Sequence, residues 1–371
     1  MKIVNISHVS FPDEHDPERW IQKSLFFKGI WEATANVDEV IFIDFIGYEG
    51  KYKKNGVEYW FYRRSKKALR LPIDIHKAIA KQRPDVIIVH GMRAPWQVLL
   101  LRLIAGMKPK IIVQDHGGGY FQSPLKKYLQ RLANRVIDTY FFTSFQQSDV
   151  YIKEGIIKDR HKVKEVMEIS SVFTPQDKSV ARSLTGVEGS EIYLWVGRLN
   201  SNKNPMLAVK AFTQFVADGK DANLYMIFQR EDLLPDIKLW LQQHTDAAKR
   251  IHLVGKVEHE QLKYWYSSVD FIMSTSHYEA GGVSVCEAMS CGCIPILSDI
   301  PSFKSMTENQ CGIMFEAGSH SSLLNALHES SLMNKTEEKE KTLAQFNDRL
   351  SFTAIAKHIH NLLHDLCNKP I

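Results

Sequence analysis

Short apolar runs alternate with longer amphipathic stretches along most of the chain, and that alternation predicts its elements. Residues 2–6 (Lys-Ile-Val-Asn-Ile) open as a β-branched run, the pattern of a central parallel strand. Further runs at 40–45, 86–89, 111–113 and 140–143 predict strands. Helical spacing over 20–34, 72–81, 95–107 and 124–136 predicts helices between several of them. Asn55-Gly56, set between polar 51–54 and 58–63, predicts a hairpin turn instead.

From 172 to 190 the chain is rich in Ser, Thr, Pro, Gly and charge and has no period. A second alternation follows, with strands expected at 192–196, 224–228, 252–254, 271–274 and 294–297. Helices are expected at 205–217, 233–244, 261–268 and 283–290. Asn204-Pro205 predicts a capping side chain followed by a proline in the first helical turn.

Strands alternating with helices of this length build βαβ units and mostly parallel sheets. The expected fold is therefore α/β, with two Rossmann-like domains in tandem. Residues 1–175 form the first, 176–190 a linker and 191–345 the second; a C-terminal helix in 346–371 is expected to pack back toward the first domain. Two domains suit 371 residues. Ligands of such sheets bind outside the carboxyl ends of the strands, so a cleft is expected there. No repeat of about 20–50 residues is visible, which argues against a solenoid.

Composition narrows the class. Apolar residues at 44% and charged residues at 24% exclude a disordered or collagen-like chain. No apolar run reaches the roughly 18–20 residues that span a bilayer, and the longest, Val98–Met107, is broken by Arg102. No secretory leader pattern opens the chain, so a cytoplasmic location is expected. The five cysteines all follow residue 285, which predicts buried, reduced thiols rather than a disulfide framework. Cys291-Gly-Cys293 is too closely spaced for a zinc pair and has no second pair nearby.

The net charge of +5 conceals an asymmetry. Residues 1–180 carry 29 Lys and Arg against 20 Asp and Glu, whereas 181–371 carry 18 against 22. Within 51–135 the count is 19 basic to 4 acidic. Such a segment suits a phosphate, an anionic membrane or nucleic acid. Tyr59-Trp60-Phe61-Tyr62-Arg63-Arg64 with Lys66 and Lys67 suggests a basic, aromatic surface for an anionic membrane; the plainer reading is a hairpin strand with solvated charge. No nucleic-acid-binding motif accompanies the charge.

Two segments carry the candidate chemistry. The first runs from Ser276 through Glu279, Gly281, Gly282, Val283 and Glu287 to Gly292, following a strand and opening a helix. Glycines there let a ligand approach the backbone, and the first N–H groups of the helix attract an anion. Glu279 falls in the loop and Glu287 about one turn into the helix, so each can reach a different part of one ligand. The second is Gly197-Arg198 at a strand end with Lys203 just before a helix. A planar donor fork and a compact ammonium suit a diphosphate. Taken singly, each of these groups is equally compatible with an exposed loop.

Together these residues resemble the retaining glycosyltransferases of family four, which have the GT-B fold. The resemblance rests on Gly197-Arg198-Leu199 with Lys203, the pair Glu279/Glu287, Glu287-Ala-Met-Ser-Cys-Gly292, Pro295 and Ser298-Asp299, and the stretch Gly255…Leu262…Tyr266…Asp270, all in order over 190–330. In the first half, Arg83–His90 and Val113–Gly119 resemble two strands that each end in a histidine. The Gly-Gly loop common after the first strand is absent from 7–13, and Ile169-Ser-Ser-Val172 replaces an Asn-Gly. Ala280-Gly281-Gly282 stands where Gly-Phe-Gly is common.

The resemblance implies transfer of a hexosyl or N-acetylhexosaminyl group, with retention, from a nucleotide-diphosphate sugar, UDP- or GDP-linked, to a glycan or lipid-linked acceptor. Cell-surface polysaccharide or glycolipid synthesis is the expected setting. Arg198 and Lys203 would face the departing diphosphate, Glu279 the sugar hydroxyls and Glu287 the ribose. His116 would lie at the donor sugar, with His90, Gly117 and Gly118 as acceptor-side candidates. The chain has no Asp-x-Asp, and no metal or cofactor is expected. A nucleotide-sugar epimerase of the same fold and a non-catalytic sugar-nucleotide binder are the competing readings.

Overall fold

A computed structural model describes residues 1–368. The chain divides into two compact units, residues 1–170 with the C-terminal segment from Phe352, and residues 171–351.

The first unit is built on an eight-stranded sheet. Its strands are β1 (Lys2–Phe11), β2 (Glu39–Ile46), β3 (Gly50–Lys54), β4 (Val57–Phe61), β5 (Val86–His90), β6 (Lys110–Gln114), β7 (Thr139–Phe142) and β8 (Val163–Glu165). They lie in the order β3-β4-β2-β1-β5-β6-β7-β8, every pairing parallel except β3 with β4. The hairpin forms because Asn55 and Gly56 both take positive φ, 46° and 82°, as a tight two-residue turn requires. The inner strands read as unbroken apolar runs because helices cover both faces. Ile87, Val89, Ile111 and Val113 are wholly or almost wholly buried.

The helix expected over 20–34 is two helices, Pro17–Lys23 and Leu25–Thr34. Ser24 separates them and turns its hydroxyl back to the Trp20 carbonyl at 2.7 Å. Asp16 caps the first by accepting from the Glu18 and Arg19 amides. The last helix, Phe352–Asn368, packs on Leu25–Thr34, with the Phe352 ring against Gly29. The expected C-terminal segment runs three residues past the described chain, at 369–371.

The second unit holds a six-stranded parallel sheet: β9 (Ile192–Gly197), β10 (Asn223–Phe228), β11 (Ile251–Gly255), β12 (Phe271–Ser274), β13 (Ile294–Ser298) and β14 (Ile313–Phe315). The order is β11-β10-β9-β12-β13-β14. Its core joins Tyr193, Trp195, Phe212, Phe215, Met226 and Phe271.

Strand order reverses between β1 and β5 in the first sheet and between β9 and β12 in the second. A reversal sends neighbouring crossovers to opposite faces and opens a crevice beyond the carboxyl ends of those two strands.

Several sequence expectations need correction. Asn204 does not cap the helix Pro205–Ala217 with its side chain; it takes a left-handed conformation, φ 46°. The side chain that organises this loop is Asn200, which accepts from the Lys203 amide at 3.0 Å. Inside the stretch read as a linker, Lys178–Thr185 is a helix capped by Asp177 and closed by Gly186. Tyr59, Trp60 and Phe61 are buried, because β4 lies between β3 and β2 rather than at the sheet edge. They form core, not a docking surface. Strands β8 and β14 and the helices Pro301–Thr307, His320–Ser330 and Lys335–Gln345 fall where the sequence pattern assigned no element.

Candidate functional site

In the second unit, the loops after β9 and β12 are laced together at the crevice. The Thr275 hydroxyl lies 2.8 Å from the Lys203 carbonyl and 2.9 Å from that of Asn204. The His277 amide donates to the Asn202 carbonyl at 2.8 Å, and the Asn202 side chain returns a bond to the Tyr278 carbonyl at 2.9 Å. Lys203 is thereby aimed at Glu279, and its ammonium donates to Oε1 of that carboxylate. The Ser276 hydroxyl donates to the same oxygen at 2.6 Å, and Ser298 anchors the Ser276 carbonyl at 2.6 Å. Arg198 follows β9 directly and is exposed, with no ion-pair partner among the described residues.

Gly281 and Gly282 are buried immediately before the helix Val283–Ser290. Gly282 has φ +83°, and a Cβ there would lie 2.6 Å from Cε1 of the buried Phe303 ring. Glycine is the residue that fits. Val283 begins the helix, and the Ser284 hydroxyl reaches the Val196 carbonyl of β9 at 3.4 Å. This brings the amide-rich helix start beside Gly197.

Glu287 is buried one turn into that helix with both oxygens engaged. His259 donates to Oε1 at 2.6 Å and the Tyr266 hydroxyl to Oε2 at 3.1 Å. The hydrogen bond and charge of Glu287 raise His259 above the ordinary histidine range against the opposing effect of its partial burial. Neither residue stood out as a Glu287 partner in the sequence, because both lie on a different segment and meet it only in the fold.

In the first unit, His116 follows β6 and His90 closes β5. His90 is buried, with Nε2 3.0 Å from the Asn5 amide oxygen and Nδ1 3.1 Å from Nε2 of His116. It is thus spent on internal partners rather than presented to an acceptor. His116 is partly exposed and donates from Nδ1 to Glu168, a residue the sequence pattern did not single out. Burial, then the neighbouring His116 and Lys28 charges, push His90 well below its usual range. For His116, packing favours the neutral ring, but the charge and hydrogen bond of Glu168, with Asp115 adding, raise it overall. The Gly117 amide donates to Asp115 at 3.1 Å, and Gly118 is exposed in the following loop.

All five cysteines are free; Cys286, Cys291, Cys293 and Cys311 are buried, and burial pushes the Cys291 and Cys311 thiols up to about 12. No group of three or more His, Cys, Asp and Glu side chains is placed to hold a metal among the described residues.

Two Rossmann-like units in tandem, the second with cations, carboxylates and a glycine-opened helix at its strand-order reversal, define the GT-B class. Residues 14–163 match the family model described as Glycosyltransferase Family 4, and 178–346 match that described as Glycosyl transferases group 1. These two matches take in most of the chain, which belongs to this glycosyltransferase family. Among curated relatives, it is 24% identical over 226 residues to D-inositol 3-phosphate glycosyltransferase of Thermobispora bispora, covering 58% of this chain and 49% of that protein. It is 23% identical over 254 residues to GDP-mannose:cellobiosyl-diphosphopolyprenol alpha-mannosyltransferase of Xanthomonas campestris, covering 66% of this chain and 64% of that one. The chain thus spans about half the length of the first of these relatives. Among solved structures, Anabaena Alr3699/HepE in complex with UDP-glucose superposes with a TM-score of 0.69 at 15% identity, over 98% of this chain and 100% of that one. At that identity the likeness concerns the fold.

Proposed function

We propose that this chain transfers a hexosyl or N-acetylhexosaminyl group from a nucleotide-diphosphate sugar to a glycan or lipid-linked acceptor, keeping the anomeric configuration. One observation carries the reading: Arg198, the Lys203–Glu279 pair, the Gly281-Gly282 helix start and Glu287 gather at the ends of β9 and β12. The bond from C1 to the diphosphate breaks, the acceptor oxygen bonds to C1, and its proton passes to the departing phosphate. Negative charge develops on that phosphate, where Arg198, Lys203 and the helix amides are pre-set to stabilise it. Glu279, oriented by Lys203 and Ser276, holds sugar hydroxyls, and Glu287 holds the ribose. The UDP-glucose of the Anabaena structure and the GDP-mannose in the Xanthomonas relative's name support a UDP- or GDP-linked donor.

The two cations supply the charge a metal would otherwise supply, so the reaction proceeds without one. Activity retained in excess chelator is the expected result; complete loss restored by magnesium overturns it.

The polyprenol-linked acceptor in the Xanthomonas relative's name supports an acceptor held at a membrane. No described helix is long and apolar enough to cross one. Exposed side chains of the first unit support the same reading. Helices Ile73–Lys81, Pro95–Ala105 and Pro124–Ala133 pack one against the next. They and their flanks leave Trp96, Leu103, Met107, Leu125 and Tyr128 exposed, Leu103 and Met107 at 80% and 78%. Exposed Lys108, Lys126, Arg131 and Arg135 stand among them. Exposed apolar and cationic side chains on the same helices and their flanks suit an anionic lipid surface.

Product analysis tests the reading. Nucleoside diphosphate released only when acceptor is present supports transfer. Interconversion of sugars without acceptor supports an epimerase, and binding with neither reaction supports a non-catalytic binder.

A further inference from the structure

Four side chains from separate segments form one hydrogen-bonded row near the carboxyl edge of the first sheet. Asn5 lies on β1, His90 closes β5, His116 stands two residues past β6, and Glu168 three past β8. Asn5, His90 and Glu168 are buried, and His116 alone reaches the surface. The Glu168 segment is pinned where Ser170 donates its amide to the Phe26 carbonyl at 2.8 Å.

Proton counting decides what the row does. A neutral His90 can donate to only one of its two partners. The Asn5 oxygen faces its Nε2 at 3.0 Å, so His90 donates there and its Nδ1 accepts from His116 at 3.1 Å. His116 then carries hydrogen on both nitrogens, Nδ1 donating to Glu168. In this orientation of the amide the Asn5 Nδ2 is buried and has no partner among the described residues. With the amide rotated, Nδ2 would donate to His90, His90 would donate from Nδ1 to His116, and His116 would be neutral while still donating from its own Nδ1 to Glu168. The other charged groups around the row are accounted for. Asp115 is held by the Gly117 amide and by the Tyr151 hydroxyl at 3.0 Å. Lys28, beyond His90, pairs with Asp44 at 2.5 Å. The uncharged Phe27 ring stands perpendicular to both imidazoles, its centroid 4.9 Å from that of His90 and 5.3 Å from that of His116.

We propose that Glu168 is a positioning residue that holds His116 as an imidazolium with both N–H groups spent inside the protein, so that His116 meets its ligand through charge and ring face rather than a donated hydrogen bond. The ligand class this selects is an anion. Taking that anion to be a phosphate of the nucleotide sugar rests on the transfer reading; the protonation state of His116 does not.

The test reads both. In the ¹⁵N spectrum of the intact wild-type chain at pH 7, His116 should show two protonated ring nitrogens; a neutral tautomer overturns the proposal. In Glu168→Gln its titration midpoint should fall by at least about one pH unit, the scale of a lost neighbouring charge. An unchanged midpoint also overturns it. For transfer, the basic limb of kcat/KM should move to lower pH in Glu168→Gln and recover partly in Glu168→Asp. A uniform loss with an unshifted limb would mark Glu168 as merely structural. A wild-type chain that transfers no sugar would refute the function while leaving the spectrum to decide the row.

Discussion

His259 and Glu287 share a 2.6 Å hydrogen bond in which one partner is more than half exposed and the other is buried. A carboxylate expected to bind ribose is thus already occupied from the solvent side. Under the transfer reading, the ribose hydroxyls must take over the place of an imidazole whose grip depends on its charge.

That competition has a sign. Glu287 raises His259, so its favourable contribution to the fold is complete below the unfolded midpoint, about pH 6.5, and is lost as pH climbs through the raised folded value. Donor binding should follow the opposite course, tightening as pH climbs through that raised value and His259 loses its proton. Isothermal titration of the nucleotide across pH 6–9 should show this trend in wild type and a flattened one in His259→Ala. Equal slopes would remove His259 from the donor site.

Lys203 and Glu279 should be inseparable in function. Each single alanine variant is expected to lower kcat about 100-fold or more, the scale of losing one preorganised charged contact. The double variant should cost little beyond either single one, because the pair acts as a unit. Circular dichroism should remain native, since the two loops are laced by Thr275 and Asn202 and do not need this ion pair. Full activity in Glu279→Ala would reject its role.

Gly282→Ala should destabilise the second unit. A left-handed conformation costs a residue with a Cβ about 1–2 kcal/mol, and pressing it onto buried Phe303 adds about 1–3 kcal/mol. Thermal melting should report a lower midpoint, and an unchanged one would show that the loop relaxes freely.

The exposed helix face should bind lipid through both its apolar and its basic groups. Wild type is expected to float with anionic liposomes at low salt and less so at high salt. Replacing both Leu103 and Met107 with Glu should abolish flotation while leaving nucleotide binding intact. Failure of wild type to float would dismiss the membrane surface.

Much of this molecule is legible in one dimension. Strand runs such as 86–89 and 192–196 are apolar throughout because their strands are covered on both faces, a local pattern that survives without knowledge of partners. Arg198, Lys203, Gly282 and Glu287 stand out because a strand end, a glycine turn and a helix start are consecutive in sequence. The Asn55-Gly56 turn is local in the same sense.

What depends on contacts distant in sequence is not readable this way. For Tyr59, Trp60 and Phe61 the sequence left a surface and a plain hairpin strand both open, because their burial comes from β2 and β3 flanking β4, a matter of strand order. Leu103, Leu125 and Tyr128 are exposed, which follows from which sides of two packed helices remain uncovered. His259 and Glu287 are 28 positions apart, and His116 and Glu168 are 52. The sequence by itself determined the alternation, the two-unit division and the loops after β9 and β12 as the candidate site, because those rest on short-range periodicity and chain-adjacent residues. Only the tertiary structure decided who holds Glu287, how His116 keeps its proton and which surface is left apolar, because hydrogen bonds and burial are set by neighbours in space.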